Sequence, residues 1–155
     1  AIVPYFNLYS VGGPNSLRGF APRQVGPAAT VPKGNNLLTQ GGFGNIVFET
    51  SLEFRQKLNS LIEVAVFTDA GNVWTYKSTL EPIETDFRSK TFIEQLAVDA
   101  GIGLRLDFEF LIFRLDLATP LVFPFEDAQQ ALPPEERENV KMGQIVPQIA
   151  FGYPF

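Results

Sequence analysis

Residues 94–108 read EQLAVDAGIGLRLDF, and this stretch decides the fold. Its even positions are Leu96, Val98, Ala100, Ile102, Leu104, Leu106 and Phe108. Its odd positions are Gln95, Ala97, Asp99, Gly101, Gly103, Arg105 and Asp107. Successive side chains of a strand point to opposite sides, so this alternation predicts a strand with one apolar face and one small or charged face. In a chain that is 45% apolar, seven even hits in a row have a chance of roughly 0.4% at any one start. A helical reading fails early, because 13 Gly and 12 Pro are spread along the chain and break long helices.

The same alternation recurs on both sides. Ile46, Phe48, Leu52 and Phe54 share a face opposite Glu49, Ser51, Glu53 and Arg55. Ile62, Val64, Val66, Thr68 and Ala70 oppose Glu63, Phe67, Asp69 and Gly71. Phe113, Leu115, Leu117 and Leu121 oppose Arg114 and Asp116. Ile145, Ile149, Phe151, Tyr153 and Phe155 oppose Gln148, Ala150 and Gly152. These patterns predict five strands, over 44–58, 61–74, 94–110, 112–121 and 144–155, with 1–43 holding a strand end and a long loop.

Several of these strands exceed the usual 5–6 residues and suit a tilted crossing of a bilayer. The connections alternate as well. Residues 56–60 and 109–111 are short turns, although the second lacks Gly, Asn and Pro. Residues 75–93 form a long polar loop, and 123–143 another, with Pro133, Pro134 and a charged stretch at 135–138. Short turns on one side and long loops on the other are the pattern of an outer-membrane barrel. Phe54, Trp74, Tyr76, Phe108, Phe110, Phe113, Tyr153 and Phe155 lie near strand ends, where an aromatic girdle would sit. The expectation is an all-β fold, part of an antiparallel transmembrane β-barrel.

A soluble β-sandwich is the competing fold, since its strands alternate too. Strand length, charges on the non-apolar face and loop asymmetry weigh against it. Five strands cannot close a membrane barrel, for which about eight is the usual minimum. An open edge in lipid would leave backbone groups unpaired at several kcal/mol each. The chain is therefore expected to belong to a larger barrel or to pair with other chains. It opens on Ala1 without a visible signal peptide, which fits a processed chain or a piece of a longer one.

Composition narrows the chemistry. The 155 residues carry a net charge of −5 and a pI near 4.7, the size of one domain. The acidic balance argues against nucleic acid. The absence of Cys and His removes disulfides, thiolate or imidazole metal sites and a His-based hydrolase. No apolar run approaches the 18 or so residues of a membrane helix. Residues 41–44, GGFG, have no Lys at phosphate-loop spacing.

Residues 11–20 read VGGPNSLRGF. They resemble the signature loop of the outer-membrane assembly and two-partner secretion superfamily, whose members include BamA and TamA and whose loop tip reads Val/Ile-Arg-Gly-Phe/Tyr. Leu17 replaces the β-branched residue, while Arg18, Gly19 and Phe20 match. FTDAG at 67–71, continuing NVW, resembles the family's Phe-x-Asp-x-Gly strand, and SLEF at 51–54 the strand before it. GIGLR at 101–105 and RLDLA at 114–118 are similar to the next two. The wording lies nearest the TamL-like lipoprotein branch.

The resemblance implies the last five strands and an inward-folded loop of a barrel of about 16 strands, with POTRA domains and the remaining barrel upstream. It implies a multi-pass protein of the bacterial outer membrane that inserts or folds β-barrel clients through a lateral seam, without cofactor or metal and without bond-making catalysis. Two-partner secretion, or a barrel anchoring a passenger domain, is the alternative; an ordinary porin-like channel is a third. The implied partners are outer-membrane lipids, unfolded β-barrel clients, the upstream segments and accessory lipoproteins, with no nucleic acid.

Within that frame, Arg18, Gly19, Phe20, Glu53, Asp69 and Gly71 are the candidate lock of loop to barrel. Glu53 and Asp69 fall on the inward parity of neighbouring strands, and an Arg fork can hold two carboxylates where Lys cannot. Gly19 is expected to allow a tight turn and Gly71 to leave room for the loop, with Phe20 packing on the inner wall. The plain alternative is a solvated Arg18 among ordinary lumen acids. A glycosidase pair is disfavoured, since an adjacent Arg depresses carboxylate pKa values, the wrong direction for a general acid. Ile149, Phe151, Tyr153 and Phe155 resemble the C-terminal sorting signal of outer-membrane barrels, read by strand addition. Pro147 and Pro154 each remove a ladder donor, and Pro147 with Gly152 is expected to weaken that edge. The acidic loop 126–138 is expected to face solvent.

Overall fold

The computed structural model describes residues 8–26, 43–74, 87, 91–124 and 140–152. Tyr76, Tyr153, Pro154, Phe155, most of 75–93 and most of 123–143, including the charged stretch, lie outside the described residues. The chain is all-β. Tyr9–Ser10 (β1) pairs antiparallel with Phe43–Gly44 (β2). Ile46–Lys57 (β3), Ile62–Trp74 (β4), Ala97–Asp107 (β5), Ile112–Val122 (β6) and Val146–Phe151 (β7) form one antiparallel sheet in sequence order. β3 has 12 residues, β4 13, and β5 and β6 11 each. A tilted strand needs about 9–11 to cross the hydrocarbon. The described strands do not close on themselves.

The sheet is inside out compared with a soluble one. Its apolar row is exposed: Leu52 is 74% accessible, and Phe54, Val66, Ile102, Ile149 and Phe151 are likewise open. Its charged row is covered: Asp69, Asp99, Arg105, Arg114 and Asp116 are all buried. Water would drive the opposite arrangement, whereas lipid outside and a plugged lumen inside favour this one. What covers the charged row is the segment from Val11 to Val25. It folds onto the inner face, held by an isolated bridge between Val11 and Val25. Val11, Leu17, Phe20 and Val25 pack there with Val73, Ala97 and Phe123 in a small apolar cluster.

Three expectations about local structure are corrected. The stretch 94–110 does not run as one strand: Ile93–Gln95 makes a 3-10 turn, and β5 begins at Ala97. Trp74 does not sit in an open girdle. Its ring is buried against Phe87 and Phe92, and its indole N–H donates to Gln95 Oε1 at 2.8 Å. Gly44 belongs to β2, and β3 starts at Ile46.

Both short turns are built on side-chain acceptors. Asn59 Oδ1 accepts from the Leu61 and Ile62 amides at 2.8 and 2.7 Å. In the second turn Glu109 takes a left-handed φ of 68°. Its amide donates to Asp107 Oδ1 at 2.9 Å, and Phe108 N–H donates to the Leu111 carbonyl at 3.0 Å. Asp107 thus closes the turn with its side chain, while Glu109 takes the left-handed position that Gly or Asn more often fills.

Candidate functional site

The inner face of β3 to β7 is a lattice of charge set by register. Ser51 on β3 lies opposite Asp69 on β4, and Asp69 lies opposite Asp99 on β5. Gly103 and Arg105 on β5 face Asp116 and Arg114 on β6, and Asp116 faces Gln148 on β7. Two of these pairs, Asp69 with Asp99 and Arg105 with Arg114, bring like charges directly across from one another, which is unfavourable on its own.

Diagonal contacts pair Arg105 and Arg114 with acids, and the loop brings a cation to Asp69. Arg105 Nη1 donates to Asp116 Oδ1 at 2.7 Å, and Arg105 Nη2 to Glu53 Oε1 at 2.8 Å. Arg114 Nε lies 2.9 Å from Asp116 Oδ2 as an ion pair. Arg55 donates to Glu53 Oε1 at 2.7 Å from the rim. Gly103 gives Arg105 its path, since a Cβ there would run into the Arg105 and Asp116 side chains.

Arg18 enters from the loop. Its Nε donates to Asp69 Oδ2 at 2.7 Å and its Nη2 to Asp69 Oδ1 at 2.8 Å, a bidentate fork. Nη1 donates to Glu53 Oε2 at 2.6 Å, and Nη2 reaches Ser51 Oγ at 3.2 Å. Ser51 Oγ itself donates to Asp69 Oδ1 at 2.6 Å. The guanidinium carbon lies 3.3 Å from the centroid of the Phe67 ring, within the range of a cation–π contact. Burial alone would lower the Arg18 pKa. The hydrogen bonds and charges of Asp69 and Glu53 more than offset that and hold it above its ordinary value.

The remaining candidate residues fall around this fork. Gly19 sits directly over Asp99: a methyl there would come within 2.9 Å of Asp99 Cγ and closer still to Cβ. Its φ is not in the left-handed region. Gly19 does lie in a tight turn, closed by Phe20 N–H donating to the Leu17 carbonyl at 3.1 Å, but what requires glycine there is the close approach to Asp99. Gly71 does leave space, since a Cβ there would meet Leu17 Cδ1 at 2.9 Å and the Phe48 carbonyl at 2.6 Å. Phe20 is fully buried, 6.0 Å from the Phe123 ring. Ile149 and Phe151 lie exposed on β7, and Phe151 packs edge-on against Phe113.

The loop is also held by residues that were assigned only to the inward row on parity. Arg114 Nη2 donates to the Pro14 carbonyl and, at 3.0 Å, to Asn15 Oδ1. Ser16 Oγ donates to Glu49. Gln148 Nε2 donates to the Arg18 carbonyl at 3.2 Å and lies 3.5 Å from the Phe20 carbonyl. Alternation placed these residues inside, but strand register and loop path, which decide their partners, carry no local signal.

A lattice of this kind positions a loop. Its carboxylates Glu53, Asp69 and Asp116 are each held by guanidinium groups. A family model described as the Omp85 superfamily domain matches residues 1–145.

Proposed function

The chain belongs to the Omp85 superfamily, and from that premise we propose that it forms the terminal part of an outer-membrane insertase, in which a lateral seam at β7 opens to template client β-strands. The superfamily covers β-barrel assembly factors and secretion transporters of the bacterial outer membrane. The choice of insertase rests on one observation, the composition of the β7 edge.

Gly152 N–H donates to the Ile112 carbonyl at 2.8 Å, so Gly152 points its amide at β6. In an antiparallel ladder donors alternate sides. Ala150, Gln148 and Val146 therefore also face β6, while Pro147, Ile149 and Phe151 face the edge that no described strand covers. Pro147 has no N–H to give. That edge offers donors at Ile149 and Phe151 only, along six residues of strand, and Gly152 bends away at a φ of 84°. A short, donor-poor edge makes a seam that separates at low cost and accepts another strand by main-chain pairing.

In this reading Arg18, Glu53 and Asp69 are a lock that keeps the loop inside the lumen, with Gly19, Gly71 and Phe20 fitting it to the wall. Ile149, Phe151, Tyr153 and Phe155 form the terminal-strand signal. Partners are outer-membrane lipids, unfolded β-barrel clients, the upstream barrel and POTRA segments, and accessory lipoproteins. The barrier lowered is that of strand insertion; no covalent bond is made or broken.

The test is a disulfide across the seam of the full-length protein, from Ile149→Cys to a facing position on the first barrel strand. Insertion of a β-barrel client into liposomes is expected to stop when the bridge is oxidised and to resume on reduction. Undiminished insertion with the bridge closed refutes the seam. Export of a soluble passenger that survives the closed bridge, with no client insertion in either state, identifies a secretion pore.

A further inference from the structure

The infolded loop touches every strand of the large sheet, and the contact to β7 differs in kind from the rest. On β3 and β4 the loop is held by charge, through Glu49, Glu53 and Asp69. On β5 it is held by close packing of Gly19 on Asp99. On β6 the cation Arg114 grips the Pro14 carbonyl and Asn15. On β7 the link is a neutral amide: Gln148 reaches the carbonyls of Arg18 and Phe20, the two residues that flank Gly19 at the loop tip.

We propose that Gln148 is a positioning residue that couples the terminal strand to the loop lock, so that β7 is held in place partly by the loop and is loosened when the loop lifts. The inference rests on reading β7 as the moving strand of the seam. Three features carry it.

The first is placement. Gln148 is the inward residue opposite Asp116, one strand beyond the charge lattice, so it extends the lattice to the sheet edge. The second is dependence on position. A β7 slip by two residues, the smallest that keeps its faces, moves Gln148 about 7 Å along the strand, beyond hydrogen-bond reach of either carbonyl. The third is strength. A neutral side-chain amide bond is the weak member of a set otherwise built on charge. Under load it releases before the Arg18 fork does. Coupling between two sites is reciprocal: displacing the loop should free β7, and freeing β7 should loosen the loop tip.

The experiment is amide hydrogen exchange on the full-length protein in lipid nanodiscs, comparing Gln148→Met, Gln148→Glu and Arg18→Ala with the parent. Met keeps the length and removes the donor; Glu keeps the shape and turns a carboxylate toward two carbonyls. Both are expected to speed exchange in the loop segment 11–26 about tenfold, the worth of one lost neutral hydrogen bond. Glu should act more strongly than Met. Peptides from β4 and β5 should be unchanged, which controls for misfolding. Arg18→Ala is expected to speed exchange in 146–152 as well as in the loop. If Gln148→Met and Gln148→Glu speed exchange only within β6 and β7 and leave the loop untouched, the coupling is refuted and Gln148 is a local strand residue. If Arg18→Ala frees the loop but not β7, the lock stands and the coupling falls. If Arg18→Ala leaves even the loop protected, the lock reading falls with it.

Discussion

Replacing Arg18 with Ala is the sharpest probe of the lock. The guanidinium makes two buried bonds to Asp69 and one part-buried bond to Glu53, all at 2.6–2.8 Å. Charge-assisted bonds contribute about 1.5–3 kcal/mol each, so three of them sum to roughly 4.5–9 kcal/mol. The sum overstates the loss, because the acids keep other partners. Arg105 and Arg55 still hold Glu53, and Ser51 still donates to Asp69. The expected cost is that of leaving a buried ion cluster one cation short, about 3–5 kcal/mol. At 1.4 kcal/mol per decade, the released loop becomes roughly a hundredfold to several-thousandfold more populated.

The assay uses a reporter cysteine in a chain that has none of its own. Val25 is fully buried against the wall by the loop fold. The maleimide labelling rate of a Val25→Cys protein therefore measures how often the loop lifts. Arg18→Ala should raise that rate by the factor above, and Arg18→Lys by less, since Lys keeps the charge without the fork. Adding Asp69→Asn and Glu53→Gln to Arg18→Ala should recover more than half of the loss, because neutral partners no longer repel. An unchanged labelling rate in Arg18→Ala refutes the lock. A full loss that persists after the acids are neutralised shows instead that the side chain acts by packing on Phe67.

Other changes test the parts around it. Gly19→Ala should destabilise the docked loop by about 1–3 kcal/mol through the clash with Asp99, seen as faster Val25→Cys labelling. Phe20→Ala should cost about 3–5 kcal/mol, as expected for a buried ring, and lower the urea midpoint of loop release. Leu52→Arg, placed mid-strand on the open apolar row, should lower folding stability in bilayers by about 2–4 kcal/mol. If Leu52→Arg leaves that stability unchanged, the outward row does not face lipid.

Most of the sheet was legible because its period is two and its outward row is largely apolar, with few breaks such as Thr50 and Thr68. Residues 94–108 alone predict a strand and its faces, and 61–74 and 112–121 match β4 and β6 to within a residue. What failed had physical reasons. The apolar parity of 94–108 continues upstream through Leu96, so alternation could not show that Ile93–Gln95 turns to bring Phe92 and Gln95 onto Trp74. The turn at Gly19 was legible, but the close approach of Asp99 that demands glycine there is a long-range fact. Arg105, Arg114, Asp116 and Gln148 were placed inward, but their partners depend on register across three strand pairs.

The register also explains why the loop and the wall need each other. Among the described residues the wall presents Glu53, Asp69, Asp99 and Asp116, with Arg105 and Arg114 as its buried cations. Its two like-charge rungs, Asp69 with Asp99 and Arg105 with Arg114, point to opposite needs. The Arg pair is relieved from within the wall, by Asp116 and Glu53. Among the described residues no wall cation pairs with either Asp, and Arg18 is what meets Asp69 there. Seating the loop thus brings a counter-ion to Asp69, whose charge is already buried in the strands. Glu53 is shared between Arg18 and Arg105, so the loop and β5 hold the same carboxylate.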